Sequence, residues 1–251
     1  MNPSPEKHES AASPGAHFVT TRWTVVMAAR DKASPESASA LQALCVGYWP
    51  PLYAFVRRLG NSPQDAEDLT QEFFARLLQK DWLDAVDRDR GRFRTFLIMA
   101  VKRFLANEWD KSRAARRGGG RAVVSLDTQL AEECYLADSG PTLSADHLYE
   151  RRWALTLLEQ AMARLRAEYE SDGRSEDFAR LKVYLTAGRG EVPYEKIAQE
   201  LGASEGAARV AVHRLRKRFR EVFRTAVADT VSSAEDVDAE MRYVVEVLGR
   251  V

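Results

Sequence analysis

Cysteine and histidine are scarce in this sequence. Of 251 residues, two are cysteine (Cys45 and Cys134) and four are histidine (His8, His17, His147 and His213). Their wide scatter excludes a disulfide framework and supplies no paired ligand spacing for zinc. No metal and no cofactor is expected. Long apolar runs are lacking as well. None approaches the ~20 residues of a membrane span, and Met1 to Thr20 has no signal-peptide core, so the expectation is a cytoplasmic chain without a membrane partner. A glycine-rich phosphate loop, a histidine–carboxylate metal set and a nucleophile motif are all missing, which argues against an enzyme. No stretch alternates apolar and polar residues with a period of two, and that leaves an all-α reading. Net charge is absent too, since 37 Lys+Arg balance 37 Asp+Glu.

That balance conceals a sharp segregation. Residues 61–87 carry seven acids and two bases, whereas 88–121 carry eleven bases and three acids. Residues 127–150 have six acids and no base, 209–220 have six bases and no acid, and 229–251 have six acids and two bases. Two basic blocks set between acidic ones suit a polyanionic partner met at two places, although a pair of solvated helix faces would look the same on charge alone. Hydrophobic residues make up 45% of the chain, a globular proportion that supports buried cores.

Apolar spacing divides the chain. Residues 1–20, rich in Pro, Ser and Ala, read as a disordered tail. Leu41, Leu44, Cys45 and Tyr48 follow helical spacing, Pro50 and Pro51 interrupt it, and Leu52, Phe55, Val56 and Leu59 resume it. Ser62-Pro63 then opens a helix, with a capping residue followed by proline at the first helical position. On it Ala66, Leu69, Phe73 and Leu77 form one stripe, while Asp65, Asp68 and Glu72 lie on another face. After a loop rich in arginine, Phe93, Leu97, Ala100, Val101 and Phe104 mark a third helix. Three glycines, Gly118 to Gly120, and the acidic stretch 127–150 read as a flexible linker with short helical pieces at most. Leu155, Leu158, Met162, Leu165 and Tyr169 begin a second helical block. In the final stretch Met241, Val244, Val245 and Leu248 are expected to face inward.

The most specific pattern lies at 193–219. Tyr194, Ile197, Ala198 and Leu201 make a short amphipathic helix, Gly202-Ala203 a turn, and Ser204 a cap for the next helix. There Ala208, Val212, Leu215 and Phe219 form a buried face, and basic residues fill much of the rest. This is the layout of a helix-turn-helix, whose second helix enters the DNA major groove. Residues near the start of that helix meet base edges. Glu205 can accept from cytosine, Arg209 can donate to guanine, Val210 can touch a thymine methyl, and His213 lies within the same reach. Arg214, Arg216 and Lys217 suit phosphate. A basic helix packed in a bundle or against an acidic partner is the competing account.

Asp65-Ala66-Glu67-Asp68-Leu69-Thr70-Gln71-Glu72-Phe73-Phe74, followed by a basic, aromatic-rich helix, resembles region 2 of the sigma-70 family, and most closely its extracytoplasmic function (ECF) type. Tyr194 to Arg220 resembles region 4.2 of the same family, in the family's order. The resemblance implies an all-α chain of two small helical domains joined by an acidic linker: region 2 at 21–112, linker at 113–150 and region 4 at 151–228. Beyond the usual ECF end, 229–251 reads as a C-terminal helical extension. It implies binding to core RNA polymerase through Asp65, Glu67, Asp68, Gln71 and Glu72. Contact with an opened −10 promoter strand would fall to Arg88, Arg90, Arg92, Arg94, Lys102 and Arg103. Trp82 or Trp109 could stack an unpaired base, though Trp109 fits a core role equally well. The −35 duplex would be read from Ser204 to Lys217. In the family the linker threads toward the RNA exit path, where its acids can mimic nucleic acid. Promoter DNA and core polymerase are the implied partners, with an anti-sigma or other regulatory protein as a further one. The alternative is a polymerase-independent helix-turn-helix regulator with a helical sensor domain.

Overall fold

A computed structural model of the chain describes residues 37–79, 92–114, 128–138, 143–188 and 190–249, together with Val26, Ala29, Pro35 and Trp82. The expected tail at 1–20, the loop arginines Arg88 and Arg90, and the linker segments 115–127 and 139–142 lie outside the described residues. The fold is all-α: α1 Ser37–Arg58, α2 Pro63–Gln79, α3 Phe93–Ala114, α4 Thr128–Asp138, α5 Ala145–Ser171, α6 Ser175–Leu181, α7 Tyr194–Leu201, α8 Glu205–Ala228 and α9 Val237–Gly249. Among the described residues no helix is long and apolar enough to cross a membrane, and no acidic or cysteine–histidine cluster could hold a metal.

Two cores organise these helices. The larger gathers Leu52, Phe55, Phe73, Leu97 and Phe104 from α1 to α3 with Trp153 and Leu157 of α5, Val222 and Val227 of α8, and Val244 and Val247 of α9. Phe73 sits at its centre, with ring centroids 5.6 Å from Phe74, 5.8 Å from Phe104 and 6.2 Å from Trp82. Full burial of such a ring stabilises by about 1.5–3 kcal/mol. The smaller core joins Leu165 and Tyr169 of α5 to Phe178, Leu181, Ile197, Ala208, Val212 and Leu215. Both α5, 27 residues, and α8, 24 residues, run from one core into the other. At 1.5 Å per residue each is a rod of about 36–40 Å. Phe219 touches both clusters.

Several elements depart from the sequence reading. Helix α1 continues through Pro50 and Pro51 rather than breaking there. Prolines within a helix forgo hydrogen bonds and cost about 3 kcal/mol. Here buried Tyr48, Trp49, Leu52 and Tyr53 hold the segment in place. The stretch expected as a flexible linker contains α4, with Ala131 buried. It also contains the first turns of α5, which starts at Ala145 because the Ser144 side chain accepts from His147 N. Along α5 the buried positions are Leu148, Tyr149, Arg152, Trp153, Ala154, Leu157, Ala161, Leu165 and Tyr169, while Leu155, Leu158 and Met162 are half-buried. The first half of α5 is covered by α1 on one side and by α8 and α9 on others, so its apolar surface is wider than a single stripe. On α9 the inward face is Val237, Glu240, Val244 and Val247, and Val245 is 64% exposed.

Candidate nucleic-acid interface

Helix α2 presents its polar face outward because Ala66, Phe73, Phe74 and Leu77 turn the other way into the core. Its first turn is locked reciprocally: Asp65 N donates to Ser62 Oγ (3.1 Å), and Ser62 Oγ–H donates to Asp65 Oδ2 (2.6 Å). Gln64 donates to Asp68, and Gln71 to Glu67, each one turn apart. Glu72 accepts from Arg76 at 2.7 Å, and Arg76 also reaches Glu108 of α3 at 2.6 Å. The five nominated residues thus share one half-buried to exposed polar surface, and Asp65 doubles as part of the helix cap.

The basic residues of α3 are arranged differently from an open cationic track. Arg94 is only 5% exposed. Its guanidinium pairs with Glu240 of α9 and lies over two rings, Trp153 at 4.2 Å and Tyr243 at 4.6 Å. Arg92 Nε stands 2.7 Å from the other Glu240 oxygen. Lys102 pairs with Asp146 at the start of α5. Arg103 is exposed, and Trp109 is 50% exposed rather than core. Phe93 and Phe104 are buried, and Phe96 packs on the core. The expectation that Arg94 is available at the surface is therefore corrected. A charge at that position is retained inside because a carboxylate and two aromatic faces replace its water. Glu240, Tyr243 and Trp153 complete this cluster, and their local spacing does not mark them as site residues. The available signal was an acid sitting in register with Val237, Val244 and Val247 on an otherwise apolar face.

Carboxylates of the linker region are committed as well. Glu132 accepts from Arg57 Nε (2.9 Å) and Nη2 (2.8 Å) and from the Tyr53 hydroxyl. The Arg57 hydrogen bonds hold its carboxyl below the usual range, against the upward pull of burial. Asp138 and Glu159 both pair with Arg152, itself nearly buried. Desolvation, with a hydrogen bond to Glu150, pushes the Tyr243 phenol up to about 12, so it stays protonated beside Arg94.

The helix–turn–helix segment follows from its residues. Gly202 ends α7 in the left-handed region at φ +61°, where a side chain is disfavoured. Ser204 caps α8 by accepting from Ala207 N. Ala208, Val212 and Leu215 are buried, and the opposite face is open. Glu205 and Arg209 pair at 2.6 Å, with Arg209 4.4 Å over the Tyr194 ring. Val210, His213, Arg214 and Lys217 are exposed. Val210 and Arg214 line an open groove of about 280 Å³ with Tyr169 and Arg174. Arg216 differs from its neighbours, because it donates to the Tyr184 carbonyl (3.0 and 2.7 Å) and the Ala187 carbonyl (2.6 Å). It closes the loop before α7 and is not aimed at solvent.

Residues 46–115 match the family described as Sigma-70 region 2. The match covers α1 from its middle onward, α2 and α3. No curated protein and no solved structure matches the chain.

Proposed function

We propose that the chain is an ECF-type sigma factor. It docks on core RNA polymerase through Asp65, Glu67, Asp68, Gln71 and Glu72, reads −35 duplex from Ser204 to Lys217 on α8, and opens the −10 element with α3 and the arginine loop before it. The observation that carries this reading is one of order. A Sigma-70 region 2 match at 46–115 is followed by a capped, glycine-turned helix pair whose second helix is basic. The work of such a protein is binding rather than bond chemistry. An acidic helix face complements a basic partner helix, and exposed cations on α8 neutralise duplex phosphates. Stacking of an unpaired base on an aromatic ring, worth ~1–3 kcal/mol, offsets strand opening, and the 50% exposure of Trp109 leaves ring surface that such a base would use. A regulatory protein such as an anti-sigma factor would act by covering one of these surfaces.

The test is in vitro transcription by core polymerase plus this chain on a library of promoter fragments. Start sites that share elements near −10 and −35 are the expected result. A chain that binds duplex DNA but neither retains core polymerase nor directs initiation is the polymerase-independent regulator instead.

A further inference from the structure

We propose that helix α9 is an internal latch. Glu240 occupies the cationic end of α3 and keeps the chain in a closed form that a separated DNA strand must displace. The inference rests on the reading of α3 as the −10 strand helix. Glu240 has no exposed surface, yet it lies on α9 and pairs with Arg94, 146 residues away. It meets both Arg92 and Arg94, which flank the first residue of α3. A carboxylate at that place has the charge and oxygen geometry of a phosphate bound to arginine at a helix start. Tyr243, one turn on from Glu240, lies under both guanidinium groups, 4.6 Å from that of Arg94 and 5.8 Å from that of Arg92.

Two features suit a latch better than a permanent strut. The Glu240 oxygen nearest Arg92 is buried, and the 2.7 Å contact there is an ion pair without an aligned hydrogen bond. A buried acceptor left in that condition is under-satisfied, so the closed form leaves something for a competing ligand to gain. Arg92 also remains partly exposed, which gives an incoming phosphate a place to start. Lys102, further along α3, pairs at the surface with Asp146, so a second acidic segment of the chain also faces the cations of this helix. Val244 and Val247 seat α9 against the rest of the larger core and define the docked position.

The test uses the full chain and its Glu240→Gln variant, which keeps shape and removes charge. Each is titrated with a labelled pool of random single-stranded 12-mer DNA. The variant is expected to bind at least ten-fold tighter, with its thermal midpoint recorded as a folding control. In parallel, hydrogen exchange of the wild-type chain is followed with and without core polymerase and promoter DNA. Amides of 237–249 should exchange at least ten-fold faster in the complex. Equal single-strand affinity of a folded variant overturns the latch, as does unchanged exchange in α9 within a transcribing complex. If the chain never engages core polymerase, the sigma reading falls. The single-strand titration then still decides the latch: tighter binding by the variant upholds it, and equal binding ends it.

Discussion

Arg57 and Glu132, 75 residues apart, meet through two parallel hydrogen bonds that pin α4 to α1. The Tyr53 hydroxyl donates to the same carboxylate, so all three groups are satisfied together. Acidic residues between the two basic blocks thus act here as fasteners, holding a segment that composition alone would leave loose.

The Glu132 pairing makes stability depend on acid. Its folded pKa is lowered, so its contribution is present above the unfolded value of about 4.3 and is lost as pH falls through the folded pKa. Glu132→Gln is expected to destabilise by ~1–2 kcal/mol at pH 7, in the range of charged hydrogen bonds at a partly exposed site. The difference between wild type and variant, from urea melts, should hold from pH 7 to 5 and shrink below pH 4.

Gly202 offers a backbone-only experiment. Its φ is +61°, and a Cβ built there meets nothing within 4 Å. Gly202→Ala therefore adds no collision, and the expected loss is the left-handed penalty of ~1–2 kcal/mol. Gly202→Asn should lose less, since asparagine tolerates that region. Denaturant midpoints of the three chains give the ranking.

Arg216 and Lys217 are adjacent in sequence, with opposite roles. Arg216→Ala removes the donors for two carbonyls and should destabilise by ~1–3 kcal/mol. Lys217→Ala should leave stability within ~0.5 kcal/mol, weaken duplex binding, and reduce the slope of log affinity against log salt by about one. Paired melting and salt titrations separate the two.

On α2, Asp65 and Asp68 provide a matched pair. Asp65→Ala breaks the reciprocal contact with Ser62 and should cost ~0.5–1 kcal/mol as well as weakening polymerase binding. Asp68→Ala should weaken polymerase binding alone, because its only described partner is a Gln64 amide at 3.5 Å. Calorimetric melting and retention on immobilised core polymerase report the two effects independently.

Local signals in the sequence were enough for the all-helical class, the start of α2 at Ser62-Pro63, the Gly202 turn and the Ser204 cap. Each is set by residues within one or two turns of one another, where spacing and backbone preference act alone. The polar face of α2 and the exposed face of α8 followed from the same periodicity. Tertiary structure alone decided that α1 passes through Pro50 and Pro51, that acidic residues 128–138 fold onto α1, that Val247 rather than Val245 faces inward, and that Arg94 is buried against Glu240. In each case the deciding partner lies on a distant helix. A buried charge or an interrupted helix is stable only when such a partner offsets its cost, and spacing along one segment carries no record of what packs against it.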